Sequence, residues 1–427
     1  MHLLAQSSAL LGLLVVFVSP ASAQCLAITG GAVHTPEGVI DAGSVLIHDG
    51  DIREVGATVA VPAGCKTIDA TGGIVTPGLV HPQSVVGLVE VGLESSSVDL
   101  HPDGDHDPVH PSFEAHQGYN PDAVAIPVSR VAGITSAVIV PQGGTFSGWS
   151  AWVDLAGKTQ AETVKRPRLA QHLRLGALKG ARGTALHRAV QLFEEARDYG
   201  KNRADWRKNK HRAYRFPAGE LEAALPVLAR KVPLVVHANR ASDIEAAMRL
   251  ADRYGLRMIL AGATEAWRHA EALAAKKIPV ILDPITNAPE SFDRYFARAD
   301  AAAILAKAGV PLILTTSGFT SHNLRKLTQA AGNAVRAGLP HADALAAITR
   351  HPADAFGMVT HGRLRPGARA NVVVWSGDPL EFSSSPTHVF IGGVSVPLVS
   401  RQTRLRDRYR TLPGSPGPAL SVPTYTP

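Results

Sequence analysis

The fold is decided by one stretch, Val75-Thr76-Pro77-Gly78-Leu79-Val80-His81-Pro82-Gln83-Ser84-Val85-Val86-Gly87-Leu88. A run of short strand-like segments precedes this stretch, and a long series of strand–helix units follows it. The stretch is therefore predicted to lie at the junction of two architectures.

The segment before the junction has the pattern of a small β domain. Apolar residues at 26, 28 and 33 flank the pair Gly30-Gly31. Residues 45–47 run into His48-Asp49-Gly50-Asp51, a hairpin signal, and residues 52–55 predict the returning strand. A further short strand is predicted at 65–68.

The segment after the junction alternates strands and helices. A strand is predicted at 133–141, and from residue 219 onward the rhythm is regular. Continuous apolar runs predict buried parallel strands at 232–236, 256–260, 278–282 and 310–314. Helices are predicted at 243–254, 263–276, 322–337 and 341–356, the first of them ending at Gly255.

Three groups of residues, in order along the chain, resemble the amidohydrolase superfamily of metal-dependent hydrolases, in its imidazolonepropionase-like branch. They are Ile68-Asp69-Ala70-Thr71-Gly72 with the Pro77-Gly78-Leu79-Val80 junction, the final-helix segment 344–353, and the return segment 362–375 with Asn371 where Asp is common. The resemblance covers roughly residues 25–405.

The resemblance implies an α/β fold, a (β/α)8 TIM-like barrel plus a small composite β-sandwich domain built from both chain ends. The implied domains are a composite β domain at 24–74 and 362–405 and a barrel at 75–361. Residues 406–427, rich in Pro and Ser, are predicted to form a loose tail.

The family holds its metals with side chains at the ends of several barrel strands. Its first strand ends in His-x-His, and here those two positions are Gln83 and Val85. An amide is a weak metal ligand and an isopropyl group is none. His237 matches the fifth-strand histidine. The sixth-strand histidine is replaced by Ala261 or Gly262, and Ser317 lies near the position of the eighth-strand aspartate.

A replacement metal site is the alternative that these substitutions leave open. His81 lies two residues before Gln83 on the same strand face, so His237 with His81 is the predicted ligand pair for at most one divalent metal, zinc. A binuclear centre is not expected. His322, Glu90 and Glu94 are further candidates to complete such a site. No catalytic or substrate-binding residue is assigned by the sequence.

Bulk composition sets the broad class. The chain has 427 residues, of which 45% are hydrophobic and 19% charged, and this is typical of a globular protein. The formal charge of +7 favours anionic surroundings. Nucleic-acid motifs are absent and aromatic residues make up only 5%, so nucleic acid is not an expected partner. A small-molecule ligand is expected instead.

Residues 1–23 have the pattern of a secretory signal peptide. An apolar core at 9–18 precedes Ala21-Ser22-Ala23, a cleavage motif before Gln24. A buried strand or a membrane anchor is the alternative, but the run is short for a span. The sequence thus predicts a periplasmic or secreted protein with no transmembrane span after signal removal. Cys25 and Cys65, its two cysteines, are predicted to form a disulfide, with two buried thiols as the alternative.

Two polar segments remain. The loop at 93–121 carries His101, His106, His110 and His116 among acidic residues, and it is interpreted either as a metal-binding loop over the barrel mouth or as a solvated loop. The basic stretch at 201–215 is interpreted either as an anion-binding patch or as a solvated face.

Two functions follow from these observations. The resemblance implies an exported hydrolase that acts on non-peptide C–N bonds. The missing metal ligands favour a catalytically degenerate barrel that binds a ligand or an active partner without hydrolysis.

Overall fold

A computed structural model describes residues 25–101, 109–176, 181–286, 288–316 and 320–410. The predicted signal peptide, His106 and Ser317 lie outside these ranges.

The described strands form two sheets. The strands of the first sheet are β1 (Cys25–Thr35), β2 (Gly38–His48), β3 (Asp51–Gly56), β4 (Lys66–Asp69), β5 (Ile74–Pro77), β14 (Val372–Trp375), β15 (Pro386–Ile391) and β16 (Val394–Ser395). Those of the second are β6 (Leu79–Ser84), β7 (Ile134–Ile139), β8 (Phe146–Asp154), β9 (Val164–Arg174), β10 (Leu234–Ala238), β11 (Met258–Gly262), β12 (Val280–Leu282) and β13 (Leu312–Leu314).

The first sheet joins the two ends of the chain. Its order is β16-β15-β14-β5-β1-β2-β3, with β4 paired to β1. The joint is the antiparallel pairing of β5 with β14, in which Val75 lies opposite Val374. One apolar core beneath it contains Ile28, Val45 and Val372. A composite sheet is therefore observed, whereas its two-layered sandwich form remains a prediction.

Cys25 and Cys65 are joined by a disulfide in this sheet region, with Cα atoms 4.7 Å apart and a sequence separation of 40. The bond links the first residue of β1 to the residue before β4, which pairs with β1 in parallel from Leu26 and Lys66 onward. The pairing of these strands brings the two cysteines together.

The second sheet forms a nearly closed eight-strand barrel in the order β13-β12-β11-β10-β9-β8-β7-β6. A TIM-like barrel is thus confirmed, but the strict βα alternation is not followed. Strand β8 runs antiparallel to both β7 and β9, because residues 146–174 form a hairpin where the sequence predicted no strands. The other neighbouring strands are parallel.

Helices cover the barrel and end the chain. They are α1 (Ala125–Arg130), α2 (Gln160–Thr163), α3 (Arg182–Arg207), α4 (Ala218–Leu228), α5 (Ala241–Tyr254), α6 (Ala270–Ala275), α7 (Ala301–Lys307), α8 (Leu327–Arg336), α9 (His341–Ala347), α10 (Arg350–Ala355) and α11 (Arg401–Tyr409). Short 3-10 turns at 266–269 and 321–326 take the place of the predicted first turns of two helices.

Gly78 lies at the junction of the two sheets, where close packing leaves no room for a side chain. Gly78 separates β5 of the composite sheet from β6 of the barrel, so the boundary lies a few residues after the predicted 74/75 boundary. A Cβ atom built on Gly78 would lie 2.1 Å from Thr135 Oγ1. The Gly78 N–H donates to the Asn371 carbonyl at 2.8 Å, which ties the junction to the returning strand. A larger residue here would collide with the Thr135 side chain of β7.

The seam between β6 and β13, the first and last barrel strands, is closed by the segment around α9 and α10. The Val80 N–H donates to the Ile348 carbonyl at 2.9 Å. On the other side of the seam, His351 Nδ1 donates to the Leu312 carbonyl at 2.8 Å. These bonds occupy backbone groups that a directly paired seam would use.

Helix α11 extends to Tyr409, four residues into the segment predicted as a loose tail. Ser400 begins it with a capping box, in which Ser400 Oγ accepts from the Thr403 N–H and Thr403 Oγ1 accepts from the Ser400 N–H. The prediction of a tail beginning at 406 is therefore wrong for its first residues, and 411–427 lie outside the described ranges. Within the described ranges, no helix has the length and apolar character to span a membrane.

Candidate functional site

The candidate site is the barrel mouth at the carboxyl ends of the parallel strands, where barrels of this type carry their chemistry. His237, the predicted metal ligand, lies in β10 and is partly exposed. Its Nε2 atom is 3.0 Å from Nδ1 of His172, a fully buried residue on the neighbouring strand β9. Two imidazoles from adjacent strands thus form a direct pair.

The electrostatics of this pair keep both rings neutral. Burial lowers the pKa of His172 to about 3, and the nearby Arg174 guanidinium acts in the same direction. Burial, followed by Arg174 and His172, holds the pKa of His237 well below its usual value. In a neutral pair one nitrogen donates and the other accepts. His172 Nε2 is buried and has no hydrogen-bond partner within the described residues.

His81, the second predicted ligand, has a different environment. It is fully buried in β6, and its Nε2 lies 3.0 Å from Thr316 Oγ1. That hydroxyl donates to the Asn323 carbonyl at 3.2 Å, so it accepts from His81. The Gln83 N–H approaches His81 Nδ1 at 3.4 Å. Burial lowers the pKa of His81 to about 3, and both nitrogens of the neutral ring have protein partners.

The positions of the family's first-strand ligands are both buried. Gln83, the penultimate residue of β6, has 8% of its surface exposed. Val85 is fully buried and begins a turn, because its carbonyl accepts from the Leu88 and Val89 N–H groups. The valine position is therefore a buried turn position whose side chain offers no metal ligand.

The sixth-strand position is filled by a neighbouring amide. Gly262 has φ +80°, a conformation that favours glycine, and a Cβ atom there would lie 2.7 Å from Asn239 Oδ1. Asn239 Oδ1 in turn accepts from Thr264 Oγ1 at 2.9 Å. Ala261 belongs to the apolar cluster that also contains Val235 and Ile281. A ligand-bearing side chain at residue 262 would therefore collide with Asn239.

A carboxylate that the sequence analysis did not assign to the site follows β12, the seventh strand of the barrel. Asp283 directly follows β12, and burial raises its pKa. Its two oxygens accept from the Ile285 N–H at 2.9 Å and from Thr286 Oγ1 at 3.0 Å. Asp283 is thus engaged by its own loop. After the eighth strand, Thr315 and Thr316 are buried.

The remaining candidates are bound locally. Glu90 accepts from the Val124 N–H, and Glu94 from the Ser96 N–H and hydroxyl. His116 lies 3.4 Å from Glu114. His322 is exposed in the 3-10 turn at 321–326. Within the described residues, none of these side chains hydrogen-bonds to His81 or His237.

The basic stretch at 201–215 is partly neutralised by its own surroundings. Arg203 pairs with Glu222, and Arg212 and His211 pair with Asp198. These contacts favour the interpretation as a charged face of the protein over an anion-binding patch.

The donors at the mouth do not fit a catalytic zinc site. Such a site needs three protein ligands, and no group of three or more His, Cys, Asp and Glu side chains is placed to hold a metal within the described residues. His81 and His237 are not in contact there, and His237 pairs with a second imidazole beside an arginine. A cation beside the pair opposes binding of another cation.

Sequence reasoning missed His172 and Arg174, because it did not recognise the strands at 146–174. The signal that could have found them is the period-two pattern of β9, in which residues 170, 172 and 174 share one face. The histidine and arginine positions at a strand end would then have stood next to His237.

The comparisons with known proteins agree with this architecture. The family model described as "Amidohydrolase family" matches residues 229–397. An amidohydrolase of Hapsidospora irregularis is 23% identical over 88% of this chain, which spans only 43% of that protein. The imidazolonepropionase of Polaromonas sp. is 26% identical, over 78% of this chain and 82% of its own.

A solved amidohydrolase from Thermotoga maritima superposes with a TM-score of 0.79 and 26% identity, covering 87% of this chain and 99% of its own. The match thus extends across both the composite sheet and the barrel. With the junction stretch, the strand-end position of His237 and the family model in agreement, the chain belongs to the amidohydrolase superfamily.

Proposed function

We propose that this protein is an exported hydrolase of non-peptide C–N bonds in a small molecule, and that the His172–His237 pair is its acid–base group. The single observation that carries the proposal is the direct contact of these neutral imidazoles at the ends of β9 and β10. Family membership supports hydrolysis as the class of reaction.

The family's members are generally metal-dependent, so the proposed mechanism departs from theirs. His237 accepts a proton from a water molecule as the water oxygen adds to the carbonyl carbon. The C–N bond then breaks, and the same proton passes to the leaving nitrogen. His172 keeps the His237 ring oriented through the 3.0 Å contact. The Arg174 cation lies close enough to depress the pKa of both histidines, and it stabilises the developing oxyanion.

This chemistry is expected to be slow. A general base is most effective when its pKa lies near the working pH, and the pKa of His237 is well below 6.5. Positioned general bases contribute roughly 100- to 10,000-fold to a rate. The rate should nevertheless tolerate chelators, since none of the proposed groups is a metal.

A second candidate function, ligand binding without hydrolysis, is favoured by the blocked positions. His81 uses both ring nitrogens for protein contacts, and Asn239 fills the space at Gly262. Both features keep polar side chains packed at the barrel mouth, and neither provides a ligand for a metal.

The test is hydrolysis of hydantoins, N-acyl amino acids and ureas by the chain after dialysis against a chelator. The proposal expects cleavage that survives chelation and falls about 100-fold or more in His237→Gln. Arg336→Gln, a substitution on the exposed end of α8, is the control. Substrate-induced stabilisation without turnover would support the binding function. Activity that disappears with the chelator and returns with zinc would overturn the metal-free mechanism.

Export is part of the same proposal. It rests on the signal-like pattern of residues 1–23 and is supported by the Cys25–Cys65 bond, because disulfides persist in oxidising compartments. The mature chain should begin at Gln24, as read by N-terminal sequencing of protein from the periplasm or medium. Exported protein that retains residues 1–23 would contradict it.

A further inference from the structure

A cavity of about 870 Å³ opens on the same face of the barrel as the mouth. Its walls come from three loops, those that follow β10, β11 and β12, and it is distinct from the His172–His237 contact. The side chains that matter below are Arg240, Arg268, Phe292, Tyr295 and Phe296, all of which line it.

The walls are tied to one another by a buried carboxylate. Glu265 has 2% of its surface exposed. One of its oxygens accepts from the Ala241 N–H at 2.9 Å, and the other accepts from the Phe296 N–H at 3.2 Å. Trp267 Nε1 donates to the Phe296 carbonyl at 3.0 Å. The backbone of Phe296 is thus held on both sides, and the cavity is formed before any ligand arrives.

A second tie holds the loop after β12 from its other end. Arg182 pairs with Asp243 in α5 and with Asp293 beside the cavity. The loop that carries the three aromatic residues is therefore fixed to two other elements. Preorganised walls reduce the entropy that a ligand must lose on binding.

Two arginines and two glutamates line the cavity wall, and both carboxylates are engaged by groups other than these arginines. The Glu265 carboxylate accepts from two backbone N–H groups, and Glu245, also on the wall, pairs with Arg249 at 2.6 Å. Arg240 and Arg268 have no carboxylate partner within the described residues. The two unpaired guanidinium groups make the cavity attractive to an anion, and a carboxylate matches their donor geometry.

The apolar side of the cavity is aromatic and open. Phe292 is 89% exposed, Tyr295 61% and Phe296 47%. Tyr295 and Phe296 form an edge-to-face pair with ring centroids 5.0 Å apart, and the Arg268 guanidinium lies 4.6 Å from the Phe296 ring centroid. Exposed aromatic groups collected beside cations mark a surface that can bind a flat apolar group.

We propose that this cavity binds a small carboxylate that bears an aromatic group. Arg240 and Arg268 recognise the carboxylate, and Phe292, Tyr295 and Phe296 contact the ring. This inference goes beyond the hydrolase proposal, because binding here requires no cleavage and involves none of the groups at His237.

The experiment uses calorimetric titration of the full chain with 3-phenylpropionate, which has no C–N bond to cleave, with the uncharged alcohol 3-phenylpropanol, and with acetate. The aromatic acid should bind about ten-fold more tightly than the alcohol, as expected for charge-assisted recognition. Acetate, which lacks the ring, should bind more weakly than the acid. Raising the salt concentration should reduce the preference for the acid.

Variants assign the effect to the cavity. In the double variant Arg240→Gln and Arg268→Gln the preference for the acid should disappear, whereas Arg336→Gln, which removes a surface arginine away from the cavity, should keep it. Phe292→Ser, at a largely exposed position, should weaken binding of the aromatic acid and leave the affinity for acetate unchanged. His237→Gln should bind the acid as the unmodified chain does, which separates this inference from the hydrolase proposal. Equal affinities for the aromatic acid and the alcohol, or an unchanged preference in the double arginine variant, would overturn it.

Discussion

Two histidine contacts on opposite sides of the barrel mouth illustrate how similar residues acquire different roles. At the β6–β13 seam, His81 is fully buried and both of its nitrogens have protein partners. On the β9–β10 side, His237 is partly exposed, and its partner His172 retains a nitrogen with no hydrogen-bond partner among the described residues. An imidazole whose two nitrogens both have hydrogen-bond partners stabilises the barrel. A histidine pair that retains a nitrogen without a partner can exchange a proton with a ligand.

The largest expected effect is on stability, from truncation at the seam. His81→Ala leaves a cavity and removes the partners of Thr316 Oγ1 and the Gln83 N–H, so we expect a loss of about 3 kcal/mol in the free energy of unfolding. His237→Ala, at a partly exposed position, should cost about 1 kcal/mol. Urea denaturation of both variants measures the difference. A greater loss in His237→Ala would reverse the assignment of the two roles.

The second prediction concerns the stability of the fold at acidic pH. Burial lowers the pKa of His81 to about 3 in the fold, against about 6.5 in an unfolded chain. The fold therefore favours the neutral ring, and this contribution is present above pH 6.5 and is lost as the pH falls toward 3. Between pH 7 and pH 5 the loss from this one group should be about 2 kcal/mol.

The matched variant for the acid test is His81→Gln, which keeps a polar side chain and does not titrate. Its stability should fall less between pH 7 and pH 5 than that of the unmodified chain, by about 2 kcal/mol. Equal losses in both proteins would show that protonation of His81 does not contribute.

The regular parts of the fold could be predicted from the sequence for simple reasons. Continuous apolar runs predicted β10 to β13 to within two residues at either end, and Gly255 ends α5 with φ +65° as expected of a helix-terminating glycine. The hairpin of β2 and β3 follows from His48-Asp49-Gly50-Asp51. These signals are local, so one sequence is enough to find them.

The parts that could not be predicted depend on contacts between distant residues. His172 meets His237 only because an antiparallel strand, β8, precedes β9 in the sheet. His81 was predicted as a ligand because its spacing allows it, but Thr316, 235 residues away, occupies its Nε2. Neither the strand direction nor the partner is encoded in the spacing of nearby residues.

The smallest expected effect tests the blocked position on β11, next to the histidine pair. Gly262→Ala adds a Cβ at φ +80° and within 2.7 Å of Asn239 Oδ1. Gly255→Ala adds a Cβ at φ +65° with no atom within 4 Å, so it reports backbone strain alone, about 1 kcal/mol. Gly262→Ala should cost about 1 kcal/mol more than this control because of the collision.

The collision makes a further distinction possible through a double-mutant cycle. Asn239→Ala alone should destabilise the fold, since Thr264 Oγ1 loses its acceptor in a buried site. Combined with Gly262→Ala it also removes the clash, so the two losses should sum to about 1 kcal/mol more than the double variant shows. Combined with Gly255→Ala it should be additive, because that glycine has no neighbour to relieve. Additivity in both cycles, measured by urea denaturation, would mean that Asn239 does not block residue 262 and that a side chain could be accommodated there.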